Sequence, residues 1–206
     1  MAEIRAESTV SGVGEPKGSN VSLQPWRYLE GEQLVDVHIF TLQRETAVSP
    51  RTGKTRDCVH IASANWVNVI PLTASGEVVL VRQWRHGVKE FTLEIPGGLI
   101  DVAEEPGEAA AREVREETGY GGDSTVELGM VEPNPAILNN LTYTYLMENC
   151  QRLADQQLDA GEDVEVVRAP LSEVPQLIAS GAIKHSLVIC GFWWLALRRP
   201  DLLRLA

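Results

Sequence analysis

Hydrophobic and polar residues follow one another in short blocks along most of the chain, and each block predicts a strand or a helix. Residues 34–48 and 55–64 are rich in β-branched residues and flank a turn-forming stretch, so we expect a small antiparallel sheet within residues 25–64. Residues 66–72 are almost continuously apolar, as in a strand that is covered on both faces. A short turn then leads into another predicted strand at residues 77–84.

The second half of the chain adds helices to the predicted strands. Residues 171–181 predict a short helix, with Ser172 as its N-cap and Pro175 in its first turn. A last helix, capped by Ser186, is apolar on nearly all sides, so we expect it deep in the core or against a partner. Strands and helices interleave without a strict βαβ rhythm, which predicts an α/β (α+β) fold with a mixed sheet between helices. The further predicted strands are residues 91–98, 125–131, 141–149 and 162–170.

The stretch Gly98–Tyr120 concentrates negative charge on one predicted helix. Pro106 suits the first turn of that helix, and Gly119 suits its left-handed end. Three glutamates share one face of it, where each like-charged pair costs about 0.2–0.5 kcal/mol: Glu113, Glu116 and Glu117. A divalent cation held by oxygen ligands would offset this repulsion, so the spacing predicts a Mg²⁺ site in which Mn²⁺ can substitute. The alternative is an acidic face that only meets solvent.

The same stretch resembles the Nudix box, in which a glycine, a glutamate and an Arg-Glu-x-x-Glu-Glu helix recur at fixed spacing. Eight positions match the box: Gly98, Glu104, Arg112, Glu113, Val114, Glu116, Glu117 and Gly119. Tyr120 departs from it, because an aliphatic residue is commoner there. The resemblance implies a Nudix-type α/β/α sandwich. It also implies hydrolysis of a phosphoanhydride in a nucleoside diphosphate that is linked to another group.

The resemblance further implies a role for each residue of the motif. Glu104 and Arg112 would pair and hold the loop and the helix together. The main-chain carbonyl of Gly97 would be a metal ligand, and the Gly97–Gly98 turn would let the backbone approach the substrate. The metal ions would bridge phosphate oxygens and lower the pKa of a bound water. The carboxylates that would bind these ions are Glu113, Glu116 and Glu117.

Three shorter segments resemble the ADP-ribose and nucleotide-sugar pyrophosphatase branch of this family. They are Arg82-Gln83-Trp84-Arg85, Glu94-Ile95-Pro96-Gly97-Gly98, and the proline that follows the motif, Pro135. The arginines suit phosphate because their planar guanidinium can make bidentate contacts. The alternatives are that both arginines are surface charges, and that Glu94 bonds structural groups beside the loop. The substrate contacts implied are Arg82, Arg85, Glu94, Gly98 and Pro135.

The catalytic base has three candidates. Members of this branch often carry a catalytic glutamate on a mobile loop before a late strand, and here that loop is expected at residues 155–163. Glu162 is the best match for a loop carboxylate that reaches the metal. Ala160 departs from the pattern, because some relatives have an acid there. Glu162, Glu116 and Asp159 therefore all remain open as the base.

The amino-acid composition indicates which partners the protein can bind and in which compartment we expect it. The 206 residues carry a formal net charge of −11, which disfavours binding to nucleic acid or to an anionic membrane. The three cysteines have neither a disulfide pattern nor zinc-binding spacing, and we find no signal peptide and no apolar run of spanning length. We therefore expect a cytoplasmic protein. We also expect a flexible tail (1–24), an N-terminal β region (25–64) and a Nudix hydrolase domain (65–206).

The N-terminal β region resembles the extra domain through which ADP-ribose-type members dimerise, often with exchange between subunits. We therefore expect a homodimer, in which residues near Trp26 or Arg51 would reach the partner's active site. The leading hypothesis is a Mg²⁺-dependent hydrolase of ADP-ribose or of a nucleotide sugar such as GDP-mannose, which releases a nucleoside monophosphate and a sugar phosphate. The alternatives are a dinucleoside polyphosphate or nucleoside triphosphate hydrolase, and a module that senses a nucleotide without cleaving it.

Overall fold

The computed structural model describes residues 23–204, so nearly all of the tail expected at residues 1–24 lies outside the described residues. The helices are α1 (Pro106–Thr118), α2 (Val174–Ala179) and α3 (Ser186–Arg198). The strands are β1 (Arg27–Asp36), β2 (Phe40–Val48), β3 (Thr55–Ser63), β4 (Trp66–Thr73), β5 (Glu77–Arg85), β6 (Glu90–Glu94), β7 (Gly97–Leu99), β8 (Tyr120–Gly121), β9 (Val126–Val131), β10 (Thr142–Arg152) and β11 (Val164–Pro170).

The first three strands form an antiparallel sheet of their own, in the order β1-β2-β3. The small antiparallel sheet expected within residues 25–64 is confirmed, and the β-rich stretch 34–48 contributes to two of its strands, because β1 ends at Asp36 and β2 begins at Phe40. Between them His38 adopts a positive φ of 71° and donates its backbone N–H to Asp36 Oδ1 at 2.9 Å. All ten residues of β1 are exposed. This sheet therefore presents a broad uncovered surface.

The larger sheet follows the order β11-β5-β4-β10-β8, with β6 on β5, β7 on β4 and β9 on β10. Strands β4 and β10 are parallel and the remaining pairs are antiparallel, so the sheet is mixed. Val67 and Val69 of β4 pack with Val114 of α1, whereas Ile70 packs with Phe192 of α3. Helices thus cover opposite faces of the sheet. The predicted α/β/α sandwich is confirmed.

The structure confirms the predicted ends of α1 but not the predicted N-caps of α2 and α3. Pro106 begins α1, and Gly119 ends it with a φ of 71°, as predicted. The predicted cap at Ser172 is wrong, because Ser172 lies in a 3₁₀ turn and Glu173 is the N-cap of α2. Ser186 is also not a cap. The backbone is already extended at His185 (φ −69°, ψ 122°), so His185 is the N-cap of α3 and Ser186 is its first helical residue.

Helix α3 is only partly buried within this chain, so of the two expectations from its apolar sequence, burial deep in the core is wrong and contact with a partner stays a prediction. Phe192 and Leu195 are fully buried in the core, but Trp193 is 56% exposed and Leu197 is 57% exposed. The helix therefore packs along one side and leaves an apolar strip on the other. Within residues 23–204, neither α3 nor any other helix combines the length and apolarity that a membrane crossing requires.

Candidate active site

The loop before α1 and one face of α1 meet at Gly97 and Gly98. Glu117 is only 4% exposed, and its Oε2 accepts a hydrogen bond from the Gly97 N–H at 2.9 Å. Glu113, one turn earlier on α1, is 8% exposed. A side chain at position 98 would start only 2.2 Å from Glu113 Oε1, and one at position 97 only 2.2 Å from the Val67 carbonyl oxygen. Gly97 is therefore required, because its neighbour is backbone, whereas a side chain at position 98 would displace the Glu113 carboxylate.

Arg112 holds the carboxylates in place. It donates to both oxygens of Glu104, from Nε at 2.9 Å and from Nη2 at 3.0 Å, and Nη2 also donates to the Leu99 carbonyl at 3.0 Å. Its Nη1 donates to Glu113 Oε1 at 2.9 Å and to Glu116 Oε2 at 3.0 Å. The predicted pairing of Glu104 with Arg112 is confirmed, and the hydrogen bonds from Arg112 lower the pKa of Glu104.

Glu113 and Glu117 are desolvated and carry strongly perturbed carboxyl groups. Burial raises the pKa of Glu113 to about 7, against the opposing charge of Arg112. Burial raises the pKa of Glu117 to about 8, and the nearby charges of Glu113 and Glu162 add to this shift. A pair of buried carboxyl groups that resists ionisation is typical of a site that binds a cation or moves a proton.

The donor atoms fit a hard divalent cation. Each of Glu113, Glu116 and Glu117 uses one carboxylate oxygen in the hydrogen bonds above, which leaves its other oxygen for a ligand. All the atoms available as metal ligands are oxygens, the type of ligand that Mg²⁺ prefers. Among residues 23–204 no three His, Cys, Asp or Glu side chains are already gathered in a ligating arrangement, because Arg112 and the Gly97 N–H hold these carboxylates in the present positions.

The segment between β10 and β11 crosses the C-terminal end of α1. Gln156 Nε2 donates to the carbonyls of Glu117 and Val164, at 2.6 and 3.0 Å, and the Gln157 N–H donates to the Glu116 carbonyl at 2.9 Å. These bonds hold the loop beside the glutamates. Sequence reasoning did not identify Gln156, and no spacing rule would have found it. What distinguishes Gln156 is a side-chain amide that bonds main-chain groups distant in sequence, and only the folded structure shows these contacts.

Glu162 lies in the same loop, is exposed, and adds negative charge near the carboxylate cluster. Its charge acts on Glu113, Glu117 and Arg85. Glu162 Oε2 accepts a hydrogen bond from the Asp159 N–H at 3.1 Å, and the Glu162 N–H donates to the Asp159 carbonyl at 2.9 Å. The turn thus uses the Asp159 backbone to position Glu162. Of the three candidate bases, Glu116 shares Arg112 with the cluster, the charge of Glu162 acts on Glu113 and Glu117, and Asp159 contributes main-chain bonds to the turn.

Arg85 and Glu94 form a bidentate ion pair beside this cluster. Arg85 Nε and Nη2 donate to the two oxygens of Glu94 at 2.8 and 2.7 Å, and Thr92 Oγ1 donates to Glu94 Oε1 at 2.6 Å. Burial alone would raise the pKa of Glu94, but these hydrogen bonds hold it below its usual value. The pair borders a cavity of about 630 Å³ that extends to α3.

Two of the predicted substrate residues make their contacts elsewhere. Arg82 Nη1 pairs with Glu165 at 3.0 Å, and its guanidinium lies 4.3 Å from the centre of the Phe91 ring. Pro135 borders a different cavity, between residues 134–140 and the small N-terminal sheet. The Ile61 N–H donates to the Ile137 carbonyl across that junction at 2.7 Å.

The arrangement has the parts that cleavage of a phosphoanhydride requires. Buried carboxylates can hold a cation, a glycine backbone permits close approach, an arginine lies beside the cluster, and the charge of a loop carboxylate acts on it. Phosphoryl transfer depends on positioning and on charge compensation, which these groups supply.

Comparison with known proteins agrees with this geometry. A family model described as NUDIX domain matches residues 62–189. The ADP-sugar pyrophosphatase of Mus musculus is 30% identical over 191 residues, which cover 84% of this chain and 88% of that protein. The ADP-ribose pyrophosphatase of Bacillus subtilis (strain 168) is 26% identical over 168 residues, which cover 81% of this chain and 90% of that protein.

A solved structure extends the similarity to the fold. The crystal structure of an ADP compounds hydrolase superposes with a TM-score of 0.78 at 21% sequence identity, and the match covers 87% of this chain and 97% of that one. The matched family segment includes α1, Arg85, Glu94 and Glu162. The chain therefore belongs to the NUDIX family of hydrolases.

Proposed function

We propose that this protein is a Mg²⁺-dependent pyrophosphohydrolase that cleaves the diphosphate of ADP-ribose or of a related nucleoside diphosphate sugar. The observation that carries the proposal is the buried pair Glu113 and Glu117 against the Gly97–Gly98 backbone. Without a cation this pair is costly, because desolvation opposes its ionisation. A chain that needed only a solvated helix would leave these carboxyl groups in water.

In the proposed reaction a water oxygen bonds to one phosphorus while the bond from that phosphorus to the bridging oxygen breaks. Glu113, Glu116, Glu117 and the Gly97 carbonyl would hold the metal, which when bound compensates phosphate charge and acidifies a water molecule. Glu162 would accept the proton of the attacking water, with Glu116 as the second candidate and Asp159 as the third. Arg85 would contact the diphosphate while Glu94 fixes the plane of its guanidinium.

The substrate is inferred from the relatives. Two of them are named ADP-ribose pyrophosphatase and one ADP-sugar pyrophosphatase, and these three matches each cover more than three quarters of this chain. ADP-ribose is therefore our first choice, and GDP-mannose is the second nucleotide sugar to test. Mg²⁺ is our first choice of metal, with Mn²⁺ as a substitute, because carboxylate and carbonyl oxygens suit both ions.

We further propose a homodimer that is held together by the N-terminal β region (25–64), beside a hydrolase domain at 65–206. Several large apolar side chains are more than 40% exposed on this small sheet: Trp26, Tyr28, Leu29, Leu34, Val35 and Val59. An exposed apolar surface of this kind is typical of a protein–protein interface. Trp26 and Arg51 border one cavity, and from there we expect residues to reach the partner's active site. Three free cysteines support the expected cytoplasmic location.

The test is a panel of substrates with purified protein. ADP-ribose, ADP-glucose, GDP-mannose, diadenosine tetraphosphate and ATP are incubated with Mg²⁺ or with EDTA, and nucleoside monophosphate is measured by chromatography. We expect AMP from ADP-ribose with Mg²⁺ and none with EDTA. Cleavage of the tetraphosphate or of ATP alone would favour the alternative hydrolase class. Binding of ADP-ribose without any turnover would favour a nucleotide-sensing module.

A further inference from the structure

The cavity beside Arg85 and Glu94 extends away from the carboxylate cluster to the N-terminal end of α3. Its volume is about 630 Å³, and its walls include Trp66, Asn68 and His185. Asn68 lies on the face of β4 opposite Val67 and Val69, which pack towards α1, so it is on the α3 side of the sheet. Arg85 lies at the end of the cavity nearest the proposed metal site, where the negative charges of Glu117 and Glu162 act on it.

Asn68, a wall residue of this cavity, carries an unused hydrogen-bond donor. It is 5% exposed and is the one polar residue before Thr73 in the otherwise apolar strand β4. Its Oδ1 accepts the Trp66 Nε1–H at 3.1 Å, and since the indole nitrogen can only donate, the amide orientation is fixed. Its Nδ2 is buried and has no partner in the described structure. A buried unpaired donor costs about 1–3 kcal/mol, so a ligand that supplies an acceptor would recover this energy.

His185 supplies a second unsatisfied atom from the opposite wall. Its Nδ1 is buried and unpaired among the described contacts. The same residue is the N-cap of the 13-residue helix α3, yet no side chain caps the first amides of that helix. The unpaired amides at a helix N-terminus also require acceptors. Two elements that are distant in sequence, β4 and α3, thus offer polar groups to one space.

The charges in the cavity favour a neutral ligand over a second phosphate. Arg85 is neutralised by the bidentate contact with Glu94, and Lys184 is paired with Glu90. Arg85 is the residue proposed to contact the diphosphate, and Lys184 is paired, so a further phosphate deeper in the cavity would find no additional unpaired lysine or arginine on the walls that the structure describes. A hydroxyl group can both donate and accept, so it satisfies Asn68 Nδ2 and His185 Nδ1 equally well. The apolar part of the wall at Trp66 suits the C–H face of a sugar ring.

We propose that this cavity binds the sugar of the substrate, the group on the far side of the diphosphate from the nucleoside, and that Asn68 and His185 select for its hydroxyl groups. This inference rests on the proposed function and extends it to the residues that set the specificity. The chemical class of the ligand is a neutral polyhydroxylated sugar that is joined to the diphosphate.

The test compares two substrates that share the nucleoside diphosphate and differ in the sugar. ADP-ribose carries hydroxyl groups, whereas the methyl ester of ADP has only a methyl group there. We expect Asn68→Leu and His185→Ala each to lower kcat/KM for ADP-ribose about tenfold, which corresponds to one or two lost hydrogen bonds. For the methyl ester we expect each variant to remain within about threefold of the wild type, since no sugar contact exists to lose.

The outcomes separate this inference from the proposed function. Equal losses on both substrates would overturn it. A changed preference between ADP-ribose and GDP-ribose, with an unchanged preference for the sugar, would assign the cavity to the nucleoside and would also overturn it. A wild-type protein that cleaves none of the nucleoside diphosphate sugars of the panel would refute the proposed function and this inference together. If Asn68→Leu does not fold, His185→Ala decides alone, because His185 is only partly buried and its side chain makes no cap bond.

Discussion

Replacing Glu117 with Gln should stabilise the metal-free protein at alkaline pH while it abolishes turnover. Gln keeps the acceptor for the Gly97 N–H but cannot ionise, so the variant avoids the cost of a buried charge. In the folded protein the pKa of Glu117 is raised from 4.5 to about 8. Its protonated form is therefore favoured by folding, and wild-type stability falls as the pH rises from 4.5 through 8.

The size of the effect follows from that shift. At about 1.4 kcal/mol per pKa unit, the ionisation of Glu117 removes roughly 3 kcal/mol of stability between pH 5.5 and pH 8.5. Glu113 titrates in both proteins, so the comparison with Glu117→Gln gives the contribution of Glu117 together with its coupling to Glu113. We expect the free energy of unfolding of Glu117→Gln to fall about 3 kcal/mol less than that of the wild type over this range.

The assay is urea unfolding in EDTA at pH 5.5, 7.0 and 8.5. The matched control is Glu108→Gln, which removes an exposed carboxylate from the same helix and should show the pH dependence of the wild type. With Mg²⁺, the wild type should gain stability at pH 8.5 and Glu117→Gln should not. We expect kcat of Glu117→Gln to fall by about 100-fold or more. Parallel stability curves for wild type and Glu117→Gln would refute the reasoning.

Three further predictions address the neighbouring groups. The apparent affinity for Mg²⁺, measured by calorimetry, should weaken about tenfold or more from pH 8.5 to pH 6.5, because protons compete for carboxyl groups with pKa values of about 7 and 8; a constant affinity would contradict this. Arg112→Lys should lower thermal stability by about 2 kcal/mol, since Lys cannot bond Glu104, the Leu99 carbonyl and the α1 glutamates together; an unchanged melting temperature would contradict it. Arg85→Ala should lower the free energy of unfolding by about 2–3 kcal/mol, because it leaves the buried Glu94 unpaired. Arg82→Ala should lower it by less than about 0.5 kcal/mol, because the ion pair of Arg82 is exposed. In activity assays Arg85→Ala should raise KM for ADP-ribose; Arg82→Ala tests the role implied by the resemblance, which requires Arg82 to leave Glu165, and an unchanged KM for this variant would remove Arg82 from phosphate binding.

The sequence predicted the parts of the fold that depend on local pattern. The Pro106 and Gly119 ends of α1 follow from fixed backbone preferences, and the apolar run of β4 follows from burial on both faces. The Glu104–Arg112 pair followed from the resemblance to the Nudix box. These features need only neighbours in sequence or a motif with constant spacing.

The features that were missed depend on tertiary contacts. The cap of α3 lies one residue before Ser186, because the incoming backbone at His185 sets the first turn. The exposed side of α3 at Trp193 follows from which face meets the sheet, which an all-apolar helix does not reveal. Gln156 bonds main-chain groups far along the chain. Asn68 did leave a signal, because a single polar residue within an apolar strand needs a partner.

The central claim is that the α1 glutamates are arranged to hold divalent cations at a bound diphosphate. The most direct measurement is anomalous diffraction from crystals grown with Mn²⁺ and a non-hydrolysable ADP-ribose analogue. We predict anomalous peaks between the carboxylates of Glu113, Glu116 and Glu117, with the diphosphate of the analogue in contact with the ions. An ordered analogue with no metal peak at these carboxylates would contradict it.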